Sequence, residues 1–307
     1  MRNAYIDALY ELAGSDERIL ALVADNGAIV YDKFRAAYPA RFINFGIAEA
    51  NMVSVAAGLA SCGKVPFAYT IASFLTMRAF EQIRNDVCMQ RMNVKLVGIG
   101  SGFVYSNLGP THHATIDMSI MRPLPGMTVF SPCGPLESKK ITKEAARIDG
   151  PVYIRLSVGG SPEIYESDYE FEMGRGVTLR DGGDAAIFTT GSITAEVMKA
   201  HAELQARGIH ARVINIHTIK PIDEEIIIEG AENTGAVITV EEHSIIGGLG
   251  SAVAEVLAEH GIRTKFKRIG LNGVFAEGYG TYDDVKALNG LSAGDIVRET
   301  VGCLNRK

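Results

Sequence analysis

Short apolar runs alternate with amphipathic helical patterns along the chain, and this alternation constrains the fold more than any other feature. It is the signature of parallel α/β sheets. In the first half the pattern predicts a helix over 3–13, a strand over 65–72 (VPFAYTIA), a helix over 78–90, and strands over 94–100 and 127–132. A helix over 135–147 follows, with Pro135 and Glu137 suited to its first turn, and then a strand over 151–157. GGSPEIYESDYEFEMGRG (159–176) breaks the pattern with Gly, Pro and acidic residues, so a domain boundary is expected there. The alternation then restarts, with strands over 184–192, 210–216, 236–242 and 264–271 and helices over 195–208, 223–232 and 248–261. The expected fold class is α/β with two doubly wound domains, over 1–165 and 181–307, joined by a linker over 166–180.

A chain of 307 residues can bury a core in each of two domains, and its 47% hydrophobic and 21% charged content is that of a soluble globular protein. The net charge of −6 gives no electrostatic footprint for nucleic acid or for an anionic membrane. No apolar run reaches membrane-spanning length, and MRNAYIDALYELAG carries acidic residues where a signal peptide would be basic and apolar. Cys62, Cys88, Cys133 and Cys303 are scattered without a CxxC pair and are read as reduced packing thiols. The expected compartment is the cytoplasm.

Within FGIAEANMVSVAAGLAS (45–61), Glu49 is the one charged side chain between Arg41 and Lys64. A helix starting near Ala48 puts it in the first turn, where the helix dipole favours an acid. Its neighbours on the helix surface, Met52, Val53, Ala56 and Ala57, are all apolar. A carboxyl on such a face needs a buried hydrogen-bonding partner or handles a proton. On physics alone, function and helix-start electrostatics are equally good readings.

GFVYSNLGPTHHATID (102–117) follows a strand directly, at the edge where open α/β sheets bind ligands. Of His112 and His113, one is a candidate proton handler, although exposed loop histidines are common; adjacent histidines rarely form a metal pair. GGLGSAV (247–253) is read as close helix–strand packing rather than a phosphate cradle, and EEH (241–243) as a strand terminus. There is no GxxxxGK[ST].

Taken together, RFINFGIAEANMVSVAAGLA, VPFAYTIASFLTMRAFEQIRNDV, GPTHHATIDMSIMR, TIKPIDEEII and ITVEEHSIIGGLGSAVAEVL resemble the transketolase family over essentially the whole chain. The resemblance covers only that family's pyrimidine-binding and C-terminal domains. It implies 1–165 as the first, 181–307 as the second, and a thiamine diphosphate cofactor. The GDG element of the missing diphosphate-binding domain is absent from the sequence. The chain therefore resembles the smaller subunit of a split transketolase, with a partner chain supplying that domain and most of the Mg²⁺ site, in an α2β2 assembly.

The resemblance also implies roles. Glu49 would hydrogen-bond N1′ of the cofactor's aminopyrimidine and exchange a proton there, a task an apolar pocket favours. Phe74 would stack on that ring, with Ile71 beside it where some relatives carry a second Phe. His112 would contact the cofactor's 4′ nitrogen and polarise or protonate the substrate oxygen. Phe80 and Arg84 fit helix packing better.

The substrate positions depart from the family's pattern. Arg2 matches one of the two arginines that bind sugar phosphates, but the expected Ser falls at Ala28, the His at Gly100, the Asp at Leu108 and the second Arg at Val158. The implied activity is ketol transfer from a ketose to an aldehyde, with a substrate that is not an ordinary sugar phosphate. Alternatives are the β-subunit of a thiamine-dependent 2-oxoacid dehydrogenase, a 1-deoxyxylulose-phosphate synthase-like enzyme, and a non-catalytic relative. Retention of Glu49, Phe74 and His112 together argues against the last.

Overall fold

A computed structural model describes residues 1–158 and 161–305, apart from the side chain of Ala28. Gly159 and Gly160, at the start of the interrupted stretch, lie outside the described residues.

The first half runs α1 (Arg2–Ser15), β1 (Ile19–Val23), α2 (Asp32–Ala37), β2 (Phe42–Asn44), α3 (Glu49–Ser61), β3 (Val65–Ile71), α4 (Ala72–Arg78), α5 (Phe80–Gln82), β4 (Lys95–Ile99), α6 (Asp117–Met121), β5 (Thr128–Phe130), α7 (Pro135–Arg147) and β6 (Val152–Leu156). The second half runs β7 (Val177–Arg180), β8 (Ala185–Thr189), α8 (Thr194–Ala206), β9 (Ala211–Asn215), β10 (Thr218–Lys220), α9 (Glu224–Glu232), β11 (Ala236–Ser244), α10 (Leu249–Glu259), β12 (Lys265–Leu271), α11 (Tyr282–Leu288) and α12 (Ala293–Leu304).

Two sheets result, seven-stranded in the order β10-β5-β6-β4-β3-β1-β2 and five-stranded in the order β12-β11-β8-β9-β7. Within the first, every pairing is parallel except β10 with β5; within the second, every pairing is parallel except β7 with β9. Two helical faces cover each sheet, so strand residues alternate between two cores. Along β1, Leu20 and Leu22 join the core under α3, while Ile19, Ala21 and Val23 join the core that also holds Tyr5 and Leu9 of α1. Along β8, Ala186 and Phe188 point one way and Ala185 and Ile187 the other. This two-sided burial explains why the strands read as continuous apolar runs rather than alternating ones.

Three features differ from the sequence reading. The helix expected over 78–90 is a chain of short pieces, α4, α5 and a π-helical turn over Ile83–Cys88. The last residues of the stretch expected as linker, 166–180, form an edge strand, β7. β10, from the second half of the sequence, closes the edge of the first sheet by pairing with β5. Among the described residues, no helix is long and apolar enough to cross a membrane, and no group of three or more His, Cys, Asp or Glu could hold a metal.

Candidate active site

The carboxyl ends of β3 and β4 and the start of α3 converge on one spot. Glu49 is the first residue of α3, with its side chain 5% exposed. The partner its apolar helix face calls for is Arg78, at the end of α4, which donates from Nη1 to Glu49 Oε1 at 3.1 Å and Oε2 at 3.4 Å. Sequence reasoning does not single out Arg78. The guanidinium carbon also lies 3.9 Å from the centroid of the Phe74 ring, a cation–π contact of about 0.5–1 kcal/mol.

Phe74 sits edge-on to His112, ring centroids 4.9 Å apart at 66°. His112 Nδ1 is 2.9 Å from Thr111 Oγ1. Burial first, and then the positive charge of Arg78, hold the His112 pKa below its ordinary value, which favours the neutral ring. His113 points the other way, buried against Phe103 with centroids 5.5 Å apart, so of the two histidines it is His112 that the structure brings to Phe74. Ile71 ends β3, half-buried, immediately before α4.

The loop carrying His112 is fixed by the second half of the molecule. Gly102 and Ala114 exchange backbone hydrogen bonds, Phe103 N donates to the buried Glu242 carboxylate at 2.5 Å, and Ser244 N donates to Thr115 O. Gly102 has φ +57°, and a Cβ there would collide with the Glu242 carboxyl, so only glycine lets the loop approach so closely. Arg155 of β6, fully buried, pairs with Asp117 at 2.9 Å and donates to the carbonyls of Ala114 and Glu242. EEH (241–243) is thus the end of β11, as expected, and also a buried anchor for the candidate site.

The remaining candidates are more scattered. Gly100 ends the run from β4 with φ +88° and lies under the ring of Tyr105. The Tyr105 ring stands 6.2 Å from His112, and its hydroxyl interacts with the Asn26 side chain and the charge of Arg2. Arg2 begins α1, and its Nε is buried without a hydrogen-bond partner. Leu108 is 46% exposed on the loop. Val158, half-buried just after β6, lines a cleft of about 410 Å³ with Ser157, Ser192, Lys199 and Lys286.

The residues fit a planar ring with a hydrogen-bonding edge. One flat group, the Arg78 guanidinium, already lies on Phe74 while donating to Glu49. An aminopyrimidine would call on the same two groups: Phe74 for a stacked face and the Glu49 carboxyl for a hydrogen bond to a ring nitrogen.

GGLGSAV behaves as the sequence suggests. The N-terminus of α10 receives the chain's own Glu241, which accepts from Leu249 N and Gly250 N, both at 2.8 Å.

Comparison with known proteins gives the family. The family profile described as "Transketolase, pyrimidine binding domain" matches residues 1–161, and "Transketolase, C-terminal domain" matches 174–296. The 6-deoxy-6-sulfo-D-fructose transketolase subunit SqwH of Clostridium sp. (strain MSTE9) is 42% identical, covering 100% of this chain and 95% of its own. An apulose-4-phosphate transketolase subunit of Phocaeicola vulgatus is 40% identical over 84% of each chain. A solved structure described as a split gene transketolase, inactive beta4 tetramer, is 44% identical with TM-score 0.89, covering 99% of this chain and 97% of that one. Family profiles, relatives of matching length and superposed fold agree: the chain belongs to the transketolase family, of which it carries the pyrimidine-binding and C-terminal domains.

Proposed function

We propose that this chain is the smaller subunit of a thiamine diphosphate-dependent transketolase, moving a two-carbon ketol unit from a ketose to an aldehyde. Residues 1–165 form its pyrimidine-binding domain and 181–307 its C-terminal domain, joined by 166–180. A partner chain supplies the diphosphate- and Mg²⁺-binding domain, and two copies of each chain form an α2β2 assembly in the cytoplasm. The observation that carries this reading is the meeting of Glu49, Phe74 and His112 at one spot. It is supported by relatives of matching length whose names call them transketolase subunits.

Bound thiamine diphosphate supplies an electron sink at the ketose carbonyl. Glu49 holds and exchanges a proton at the pyrimidine N1′, and Phe74 with Ile71 positions the ring. His112 hydrogen-bonds the substrate oxygen. A His pKa held low by burial and by Arg78 keeps that ring neutral near pH 7, able to accept or donate a proton. Arg2 remains as one cation for the far end of the sugar. By sequence position, Ala28, Gly100, Leu108 and Val158 stand where phosphate and hydroxyl ligands are expected, so common sugar phosphates should be poor donors. The relatives' names give 6-deoxy-6-sulfo-D-fructose and apulose-4-phosphate as their sugars.

The test is reconstitution with a partner carrying the diphosphate-binding domain, assayed for ketol transfer and for 2-oxoacid decarboxylation. Transfer that appears only with both chains is expected. Robust turnover by this chain alone with cofactor and Mg²⁺, or decarboxylation without transfer, would overturn the proposal.

A further inference from the structure

Arg78 already uses both groups that the cofactor's aminopyrimidine would need. Its guanidinium carbon lies 3.9 Å from the centroid of Phe74, a stacking separation, so the ring face it covers is closed to a second flat group. Its Nη1 reaches both oxygens of Glu49, at 3.1 and 3.4 Å. Arginine carries donors only, so with Nη1 on both oxygens neither is placed to present an O–H to a ring nitrogen. The Glu49 side chain is 5% exposed, which leaves little room for a second partner to approach beside the arginine.

The position of Arg78 suits a side chain that can leave. It is the last residue of α4, and its side chain is 49% exposed, so an outward rotation leads into water. There it regains the rotamer freedom that stacking on Phe74 costs it. Arg155 shows the opposite design nearby. Its side chain is 1% exposed and tied to Asp117 and to the carbonyls of Ala114 and Glu242, so it has nowhere to go. Held inward, Arg78 gives a buried carboxyl a charged donor. Swung outward, it frees that carboxyl and the Phe74 face together.

We propose that Arg78 is a displaceable plug at the pyrimidine end of the cofactor site: it and the aminopyrimidine alternate on Phe74 and Glu49, so that Arg78 limits the affinity for thiamine diphosphate. The inference rests on the thiamine-dependent reading and deepens it.

The experiment titrates the cofactor-stripped two-chain complex with thiamine diphosphate and Mg²⁺ by calorimetry. Arg78→Ala removes the plug and should tighten binding by about three- to tenfold, the scale of a cation–π contact and a half-exposed ion pair that the cofactor no longer displaces. Arg78→Lys keeps a cation for Glu49 but loses the flat stack, and should tighten binding less. Inorganic diphosphate with Mg²⁺ engages the partner's domain alone, so its affinity should be equal in all three complexes. In the wild type, NMR of the arginine side chains should show the Arg78 Nε–H leaving the Phe74 ring current as cofactor is added; its signal is identified by its loss in Arg78→Ala. Circular dichroism and assembly with the partner report folding, and where Arg78→Ala does not fold, Arg78→Lys and the NMR titration carry the test. Weaker or unchanged cofactor binding in a folded Arg78→Ala complex, an equal gain for diphosphate, or an Arg78 signal that the cofactor does not move overturns the plug. A wild-type complex that assembles and binds diphosphate, but binds thiamine diphosphate no better, sinks the thiamine-dependent reading and this inference with it.

Discussion

Glu49 and Glu241 are both buried carboxylates at the start of a helix, and they are held in opposite ways. Glu241 is 0% exposed, and the backbone N–H groups of Leu249 and Gly250 take its two oxygens. Glu49 is bound by a side chain instead, and that side chain, Arg78, is 49% exposed. A backbone cradle cannot leave; a half-exposed arginine can. Glu49 also adjoins the ring of Phe74 through Arg78, and Phe74 meets His112, whereas Glu241 faces the ring of His243 at 3.6 Å, itself fully buried. Burial of a carboxylate does not by itself separate chemistry from architecture. What separates them is whether the partner can be exchanged for a ligand and whether other chemical groups stand within reach.

Substitutions can break or sharpen that contrast. The largest effect is expected at Glu49. Glu49→Gln keeps the shape but cannot exchange a proton, so ketol transfer by the two-chain enzyme should fall by about 10²–10⁴ while the fold survives. Steady-state kinetics beside thermal unfolding checks this, and a loss of activity matched by loss of folded protein would make Glu49 structural.

Glu241→Gln should act on stability instead. Burial lifts the Glu241 carboxyl from 4.5 to about 7. Between those values the folded chain keeps a proton that the unfolded chain has released. Stability therefore falls as pH rises through this window, by about 1.4 kcal/mol per unit. Glutamine abolishes that titration, so the variant's stability should change less with pH between 4.5 and 7. It also loses one of two N–H acceptors, at a cost of about 1–3 kcal/mol. Urea unfolding across the window reads both effects; a slope identical to wild type would contradict the assignment.

The smallest effect is expected from Arg78→Ala. Burial is the main reason the His112 pKa is low, and Arg78 the second. Removing the positive charge should move the pKa upward, toward the ordinary value, without reaching it. NMR titration of the His112 ring protons measures this, and a downward or absent shift would separate Arg78 from His112.

Much of the fold is legible because two-sided burial writes parallel strands as apolar runs. β1 and β2 escape that reading: ILALV is only five residues long and FIN three, too short for a periodic signal. β10 is also three residues, and nothing local in TIK says which sheet it joins. The alternation does not reach α11 and α12, although both carry a readable signal in the capping boxes of Thr281 with Asp284 and Ser292 with Asp295. At the site, Glu49 is conspicuous as a lone charge on an apolar face. Arg78 and Tyr105 are not, because each matters through a contact that sequence spacing does not reveal. Arg78 reaches Glu49 across 29 residues, and Tyr105 folds back over a glycine. The fragmentation of the 78–90 helix likewise follows from tertiary packing that local helical periodicity does not record.

The contrast between the two carboxylates comes down to one measurement: exchange of the thiamine diphosphate C2 proton with solvent, followed by NMR in the reconstituted complex. Glu49→Gln should slow exchange by about two decades or more relative to wild type, on the scale of a lost general acid–base group, while Glu241→Gln, where folded, should exchange at close to the wild-type rate. Wild-type exchange in Glu49→Gln, or equal slowing in both variants, would contradict the account.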